Sequence, residues 1–232
     1  MTTHDVTDRA TSTVPLVNAS DGIKLNVGCG PVQPPGWVNI DNSYRARFAS
    51  SVPWLDRLLV KAGAIPETEF KPGVHGVDLD RPLPWPTGSV AAVYGGEVLE
   101  HFTREDGVRL LGECFRVLRP GGVLRMRVPD NARFWSNYIA EYGAVHQRPR
   151  GEWSLAHTRW IEKFFREIST GKRWGSSGHF HKWMYDDVSL ILTFESVGFR
   201  DVSRMPYLES RIPDVAAVEV RDELIVEGIK PN

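Results

Sequence analysis

The chain has 232 residues, of which 41% are hydrophobic and 25% charged, close to the soluble globular average. That composition excludes a fibrous, collagen-like or wholly disordered chain, and the length argues for one domain of ordinary size carrying an insertion. Lys and Arg total 28 against 29 Asp and Glu, a net charge of −1, so no chain-wide basic field exists to bind nucleic acid or an anionic membrane.

Two cysteines, Cys29 and Cys114, do not form a disulfide framework, and a reducing, cytoplasmic setting is expected. No apolar run approaches the roughly 18 residues needed to cross a bilayer. Residues 1–20 are polar, lack the basic start and apolar run of a secretory leader, and are expected to form a flexible tail before a single domain at 21–232.

In chain order, Ile23 to Val27 reads as a buried strand closed by the turn Gly28-Cys29-Gly30. Trp37 to Ile40 is a second strand, ending at Asp41. Leu55, Leu58, Leu59 and Ala62 predict a helix within 52–65. Val74 to Leu79 is a third strand, ending in Asp78 and Asp80, and a proline-rich loop follows. Val90 to Tyr94 is a strand followed by Gly95-Gly96. Arg104 to Leu118 carries an apolar stripe of Val108, Leu111, Phe115 and Leu118, so it predicts a helix stopped by Pro120-Gly121-Gly122. Val123 to Val128 is the next strand, ending at Pro129-Asp130.

Residues 131–182 break this alternation. They read as an inserted cap with helical stretches near 131–142 and 152–169 and a glycine-rich loop at 171–178. Asp186 to Val197 is a helix closed by Gly198, and strands follow near 201–205 and 216–226. Alternating strand and helix predict an α/β fold with a largely parallel sheet, in which ligands sit outside the carboxyl ends of the strands.

The residues that end the strands therefore carry the functional reading. Gly28-Cys29-Gly30 permits close backbone approach to a ligand. A dinucleotide is disfavoured, because Gln33 stands where the third glycine of that fingerprint belongs and prolines 31, 34 and 35 spoil a phosphate-binding helix start. Asp41 can accept both hydroxyls of a ribose and Asp78 the amino group of adenine. Each alone reads as a cap or a solvated turn; as an ordered set they favour an adenosine-bearing ligand.

Five segments carry a family resemblance: LNVGCG (25–30), WVNID (37–41), DLDRPLPWPTGSVAAVYGGEVLEHF (78–102), CFRVLRPGGVLRMRVPD (114–130) and ESVGF (195–199). Together they resemble class I methyltransferases that use S-adenosylmethionine. The resemblance implies a Rossmann-like seven-stranded sheet with an antiparallel last strand, here 216–226. It implies that Gly28, Cys29 and Gly30 face the methionine part of the cofactor, Asp41 the ribose, Asp78 and Leu79 the adenine, and Glu97 the sulfonium. The stretch between the first two strands is shorter than the dozen or so residues of an ordinary crossover, so the usual first helix is expected to be very short or absent. This compressed pattern is similar to a branch of sugar and polysaccharide O-methyltransferases, including those of methylated mannose polysaccharides.

Methyl transfer to a hydroxyl gains from a base near the acceptor. His179 and His181, at the end of the cap, are the first choices. Each reads equally well as a histidine bonded to backbone. Glu97 and Asp130 are expected to shape the charge around them, and His146 and His157 read as structural. By the resemblance, His101 is a cofactor-shell or structural residue. Mg²⁺ held by Asp130 with Glu97 or a histidine stays open, although no metal-ligand spacing marks it. The tryptophans fall into two groups, Trp37/Trp54/Trp85 and Trp135/Trp153/Trp160/Trp174/Trp183. They read as core or, for the second group, as a sugar-stacking pocket.

The expected activity is thus O-methylation of a carbohydrate, a mono- or oligosaccharide such as a mannoside, with S-adenosylmethionine as cofactor. Methylation of a lipid or polyketide hydroxyl, or a catalytically silent cofactor-binding protein, are the rival readings. A homodimer is left open, and neither nucleic acid nor a membrane span is expected.

Overall fold

The computed structural model describes residues 22–43, 46, 48, 51–65, 73–168 and 180–232. The 1–20 tail, the 171–178 loop, Trp174 and His179 lie outside the described residues.

The strands are β1 (Ile23–Val27), β2 (Val38–Asp41), β3 (His75–Gly76), β4 (Val90–Gly96), β5 (Leu118–Val128), β6 (Arg200–Arg204) and β7 (Leu224–Ile229). The helices are α1 (Pro53–Lys61), α2 (Arg104–Val117), α3 (Asn131–His146), α4 (Thr158–Ile168) and α5 (Asp187–Val197). The strands form one sheet in the order β3-β2-β1-β4-β5-β7-β6. Every neighbouring pair through β5 is parallel, and β7 runs antiparallel to both β5 and β6. This is the expected seven-stranded Rossmann-like sheet with its reversed strand.

Alternating residues of the strands build two different cores. Leu25, Val27, Ile40, Val93 and Leu124 face α2 and α5, whose Leu110, Leu111, Cys114, Leu190 and Phe194 complete a closed apolar cluster. On the opposite face, Trp37, Ala92, Tyr94 and Val123 are covered by Ile212, Val215 and Val218 from an irregular segment. That segment explains a correction. The last strand was expected at 216–226 but begins at Leu224, because residues 212–219 are used to roof the second face. Trp37 and Trp85 are buried in these cores, while Trp54 is 67% exposed on α1.

The β1–β2 crossover contains no helix. Two buried asparagines hold it instead: Asn26 donates to Val32 O at 2.7 Å and to Asn39 Oδ1 at 2.9 Å, and Asn39 in turn donates to the carbonyls of Pro34 and Trp37. The third strand is only two residues long, shorter than the expected 74–79. Asp78 Oδ1 accepts Asp80 N at 3.0 Å and turns the chain there. The glycines after α2 do not open a loop. Residues 118–122 pair as the first part of β5, with Gly121 at φ +72° and its N–H donating to Lys230 O at 2.9 Å. Helix α5 has the expected start and stop: a reciprocal Asp186/Ser189 capping box and Gly198 at φ +116°.

Candidate active site

Five strand ends open onto one cavity of about 450 Å³, whose lining includes Gly28 after β1, Asp41 at the end of β2, Leu79 after β3, Glu97 after β4 and Arg127 in β5. Gly28 has φ +62°, and a Cβ there would lie 2.8 Å from Val98 Cγ2, so only glycine lets the turn close over the sheet. Gly30, at φ +49°, has nothing within 4 Å of its would-be Cβ, so this backbone borders open space. Asp41 stabilises the turn: Oδ2 accepts Gly30 N at 3.1 Å and Oδ1 accepts Ser43 N at 2.7 Å. Each oxygen keeps a second lone pair for a ligand hydroxyl. Cys29 also lines the cavity, but burial pushes its thiol up to about 12, so it is a neutral wall and not a nucleophile.

Asp78 stands at the edge of this cavity, bonded to its lining: its carboxylate is held by Asp80 N, by Asn42 Nδ2 at 3.3 Å and by Arg81 at 3.4 Å. Leu79, Asp80 and Phe102 border the space.

Glu97 sits at the centre. Its backbone is left-handed, φ +59°, unusual for a non-glycine residue, and is fixed by donation from its N–H to Arg127 O at 2.9 Å. Its carboxylate meets the Arg127 guanidinium at 3.2 Å, and the same nitrogen meets Glu223 at 3.1 Å. Arg127 is almost fully buried and also donates to Tyr94 OH at 3.2 Å. One cation thus serves two carboxylates. Burial and the facing Glu223 lift Glu97 to about 8, against the opposing pull of Arg127.

A second cavity of about 250 Å³ lies beside the first, and Glu223 lines it together with Asp130, Phe134, Trp160 and Lys163. The Glu97–Glu223 pair therefore stands between the two spaces. The cap helices contribute the aromatic wall, where Phe134 of α3 and Trp160 of α4 meet edge to face at 5.6 Å.

The other expected site residues are dispersed. Asp130 borders the second cavity, and its partners among the described residues are not histidines: Oδ1 caps α3 by accepting Arg133 N at 3.0 Å, and Oδ2 pairs with Arg204 at 2.9 Å. His181 lies against His101, rings 5.2 Å apart, and borders a third space of about 330 Å³ with Trp135 and Trp183. Burial holds its imidazole below the ordinary histidine value. Trp153 packs on His146 at 5.0 Å and donates to Arg148 O, away from both cavities. Glu97 and Asp130 are both engaged by arginines.

Residues 25–126 match the profile of a family described as a methyltransferase domain. That match covers a little under half of the chain. A curated relative from Mycolicibacterium smegmatis, named a "probable S-adenosylmethionine-dependent methyltransferase", is 31% identical over 140 residues, which is 60% of this chain and 52% of the relative. The chain thus spans about half the length of that relative. Among solved structures, a possible histamine N-methyltransferase from Thermotoga maritima is 14% identical at a TM-score of 0.47, covering 92% of this chain and 84% of that one. The magnesium protoporphyrin IX methyltransferase of Synechocystis PCC 6803 is 12% identical at 0.47, covering 90% and 74%.

The curated relative's name gives S-adenosylmethionine as its cofactor, and the first cavity fits a molecule of that size and chemistry. The volume lies in the range of small-molecule sites. The glycine turn leaves backbone exposed where a Cβ would fill or clash, and the Asp41 carboxylate retains acceptor capacity at the cavity edge. The residues that sequence reasoning missed are Arg127 and Glu223. Arg127 had a readable signal, since Arg125 and Arg127 alternate with apolar residues in a strand otherwise buried. Glu223 was hidden by assigning it to the interior of a strand that begins one residue later.

Proposed function

We propose that the protein transfers a methyl group from S-adenosylmethionine to a hydroxyl of a carbohydrate, with Glu97 as the base. The observation that carries this reading is the Glu97–Glu223 pair, which borders the cofactor cavity on one side and an aromatic, charged cavity on the other.

S-adenosylmethionine supplies an electrophilic methyl on a sulfonium, and displacement leaves a neutral thioether. Asp41 and the Gly28–Gly30 turn hold the cofactor, with Leu79 and Phe102 flanking its adenine. The acceptor oxygen forms the new bond to the methyl carbon as the carbon–sulfur bond breaks, and its proton passes to the Glu97 carboxylate. Arg127 keeps that carboxylate in place, and its left-handed backbone fixes the direction of approach. Trp160 and Phe134 offer faces for a sugar ring, while Asp130, Arg133 and Lys163 offer hydrogen bonds to its edge. That charged lining favours a sugar over a lipid or polyketide chain, whose apolar body it would desolvate poorly. His181 lies beyond this path, so Glu97 takes the base role first expected of the histidines.

Incubation with methyl-labelled cofactor and a panel of mono- and oligosaccharides, with long-chain and polyketide alcohols alongside, tests the reading. Label is expected in a saccharide, and Trp160→Ala is expected to raise the acceptor KM at least tenfold with cofactor affinity unchanged. Label in the alcohols alone contradicts the carbohydrate assignment. Asp41→Ala is expected to weaken cofactor binding by about 1–3 kcal/mol in calorimetry, the scale of a lost hydrogen bond with a charged partner. Asp78→Ala, outside the cavity lining, is expected to change it far less.

A further inference from the structure

Outside the Glu97 cluster, one buried group has no explanation in methyl transfer. Glu100 is 1% exposed, and neither oxygen of its carboxyl meets a hydrogen-bond partner among the described residues. Its neighbours are imidazoles. One ligand atom from each of Glu100, His101 and His181 lies within 4.8 Å of the others. An acidic oxygen in this position, with no partner of its own, needs either a proton or a cation.

We propose that Glu100, His101 and His181 bind one divalent transition-metal ion of the Zn²⁺ type. Two imidazoles and one carboxylate are the donor set that suits Zn²⁺, Co²⁺, Ni²⁺ or Fe²⁺, and not Mg²⁺, which prefers oxygen alone. The donors need to draw in only modestly around an ion with bonds of about 2.0–2.2 Å. The outer shell is present as well. His101 Nδ1 lies 3.2 Å from Phe180 O, and as an Nδ1–H donor it leaves Nε2 as the ligating nitrogen. The Glu100 carbonyl accepts Lys182 N at 2.8 Å and Trp183 N at 3.2 Å, so backbone bonds already hold the two segments that carry the ligands side by side.

The ion would join the short turn after β4 to the chain returning from the cap. His101 borders the cofactor cavity and His181 the space beside Trp135 and Trp183. Three protein ligands leave at least one coordination position for water or a ligand. The site does not depend on the methyl-transfer reading.

The test uses the full chain without a histidine tag, stripped with a chelator and titrated with Co²⁺ alone. One Co²⁺ per chain is expected, with visible d–d absorption, displacement by Zn²⁺ and a rise in Tm on Zn²⁺ addition. His181→Ala is expected to lower affinity at least 100-fold and to abolish the Zn²⁺-dependent Tm shift. His181→Gln serves the same purpose if the alanine variant does not fold. His146→Ala, on the exposed face of α3, is expected to leave binding unchanged. No Co²⁺ uptake by the wild type, or uptake unaltered in the His181 variant, overturns the proposal.

Discussion

Glu97→Gln is expected to lower turnover by about 10²–10⁴-fold while cofactor affinity stays within a few-fold, the scale of losing a positioned base. The amide keeps the size of the side chain and its contact with Arg127 through the carbonyl oxygen, but cannot take the acceptor proton. The pH profile separates this from a packing effect. Glu97 is raised to about 8 in the unliganded protein, so the carboxylate form grows as pH rises and wild-type turnover climbs towards and through that value. A bound sulfonium favours the anion, so the inflection with cofactor present is expected below 8. The residual activity of the glutamine variant should lack this inflection. Near-normal turnover in Glu97→Gln would return the base role to His181 or His179.

The same elevation makes a stability statement. Between the ordinary carboxylate range and about 8, the folded protein holds a proton on Glu97 that the unfolded chain has released. Its contribution is complete in acid and is lost as pH rises towards 8. Adding S-adenosylmethionine should weaken this trend by binding the ionised form.

Arg125→Leu is expected to destabilise the fold by about 3–5 kcal/mol, read as a lower urea midpoint. Arg125 is fully buried in β5, and every one of its donors is used. It forks onto Glu219 at 2.8 and 2.7 Å, meets Glu227 at 3.2 Å, and donates to the carbonyls of Glu209 and Pro206 at 2.8 and 3.1 Å. Leucine would leave two buried carboxylates without their main cation, and it would free the 206–219 segment that covers the second face of the sheet. Lys at this position lacks the fork and recovers only part of the loss. An unfolding free energy within about 0.5 kcal/mol of wild type would mean that the segment is held by its apolar contacts alone.

Much of this architecture was legible in the chain. The short apolar runs of β1 and β4, the stripe of α2 and the Asp186–Gly198 brackets of α5 depend on neighbours in sequence, and each was found where it was expected. The turn glycines and Asp41 were legible for the same reason, since a strand end followed by glycine has few other uses. What failed to show was set by distant partners. Val215 and Val218 resemble strand residues, yet they roof Trp37 and Tyr94, so the last strand starts later. The partners of Asp78 are set the same way, since the short third strand and its turn direct it to Asn42 and Arg81. The role of Glu223 exists only because β7 lies beside β5 and brings it to Arg127.

The measurement closest to the central claim is a calorimetric titration of S-adenosylmethionine near pH 7, repeated in buffers of different ionisation heat. One site per chain is predicted, with net proton release that disappears in Glu97→Gln and affinity that falls in Asp41→Ala. Absence of binding, or binding indifferent to both substitutions and without proton release, would contradict the account.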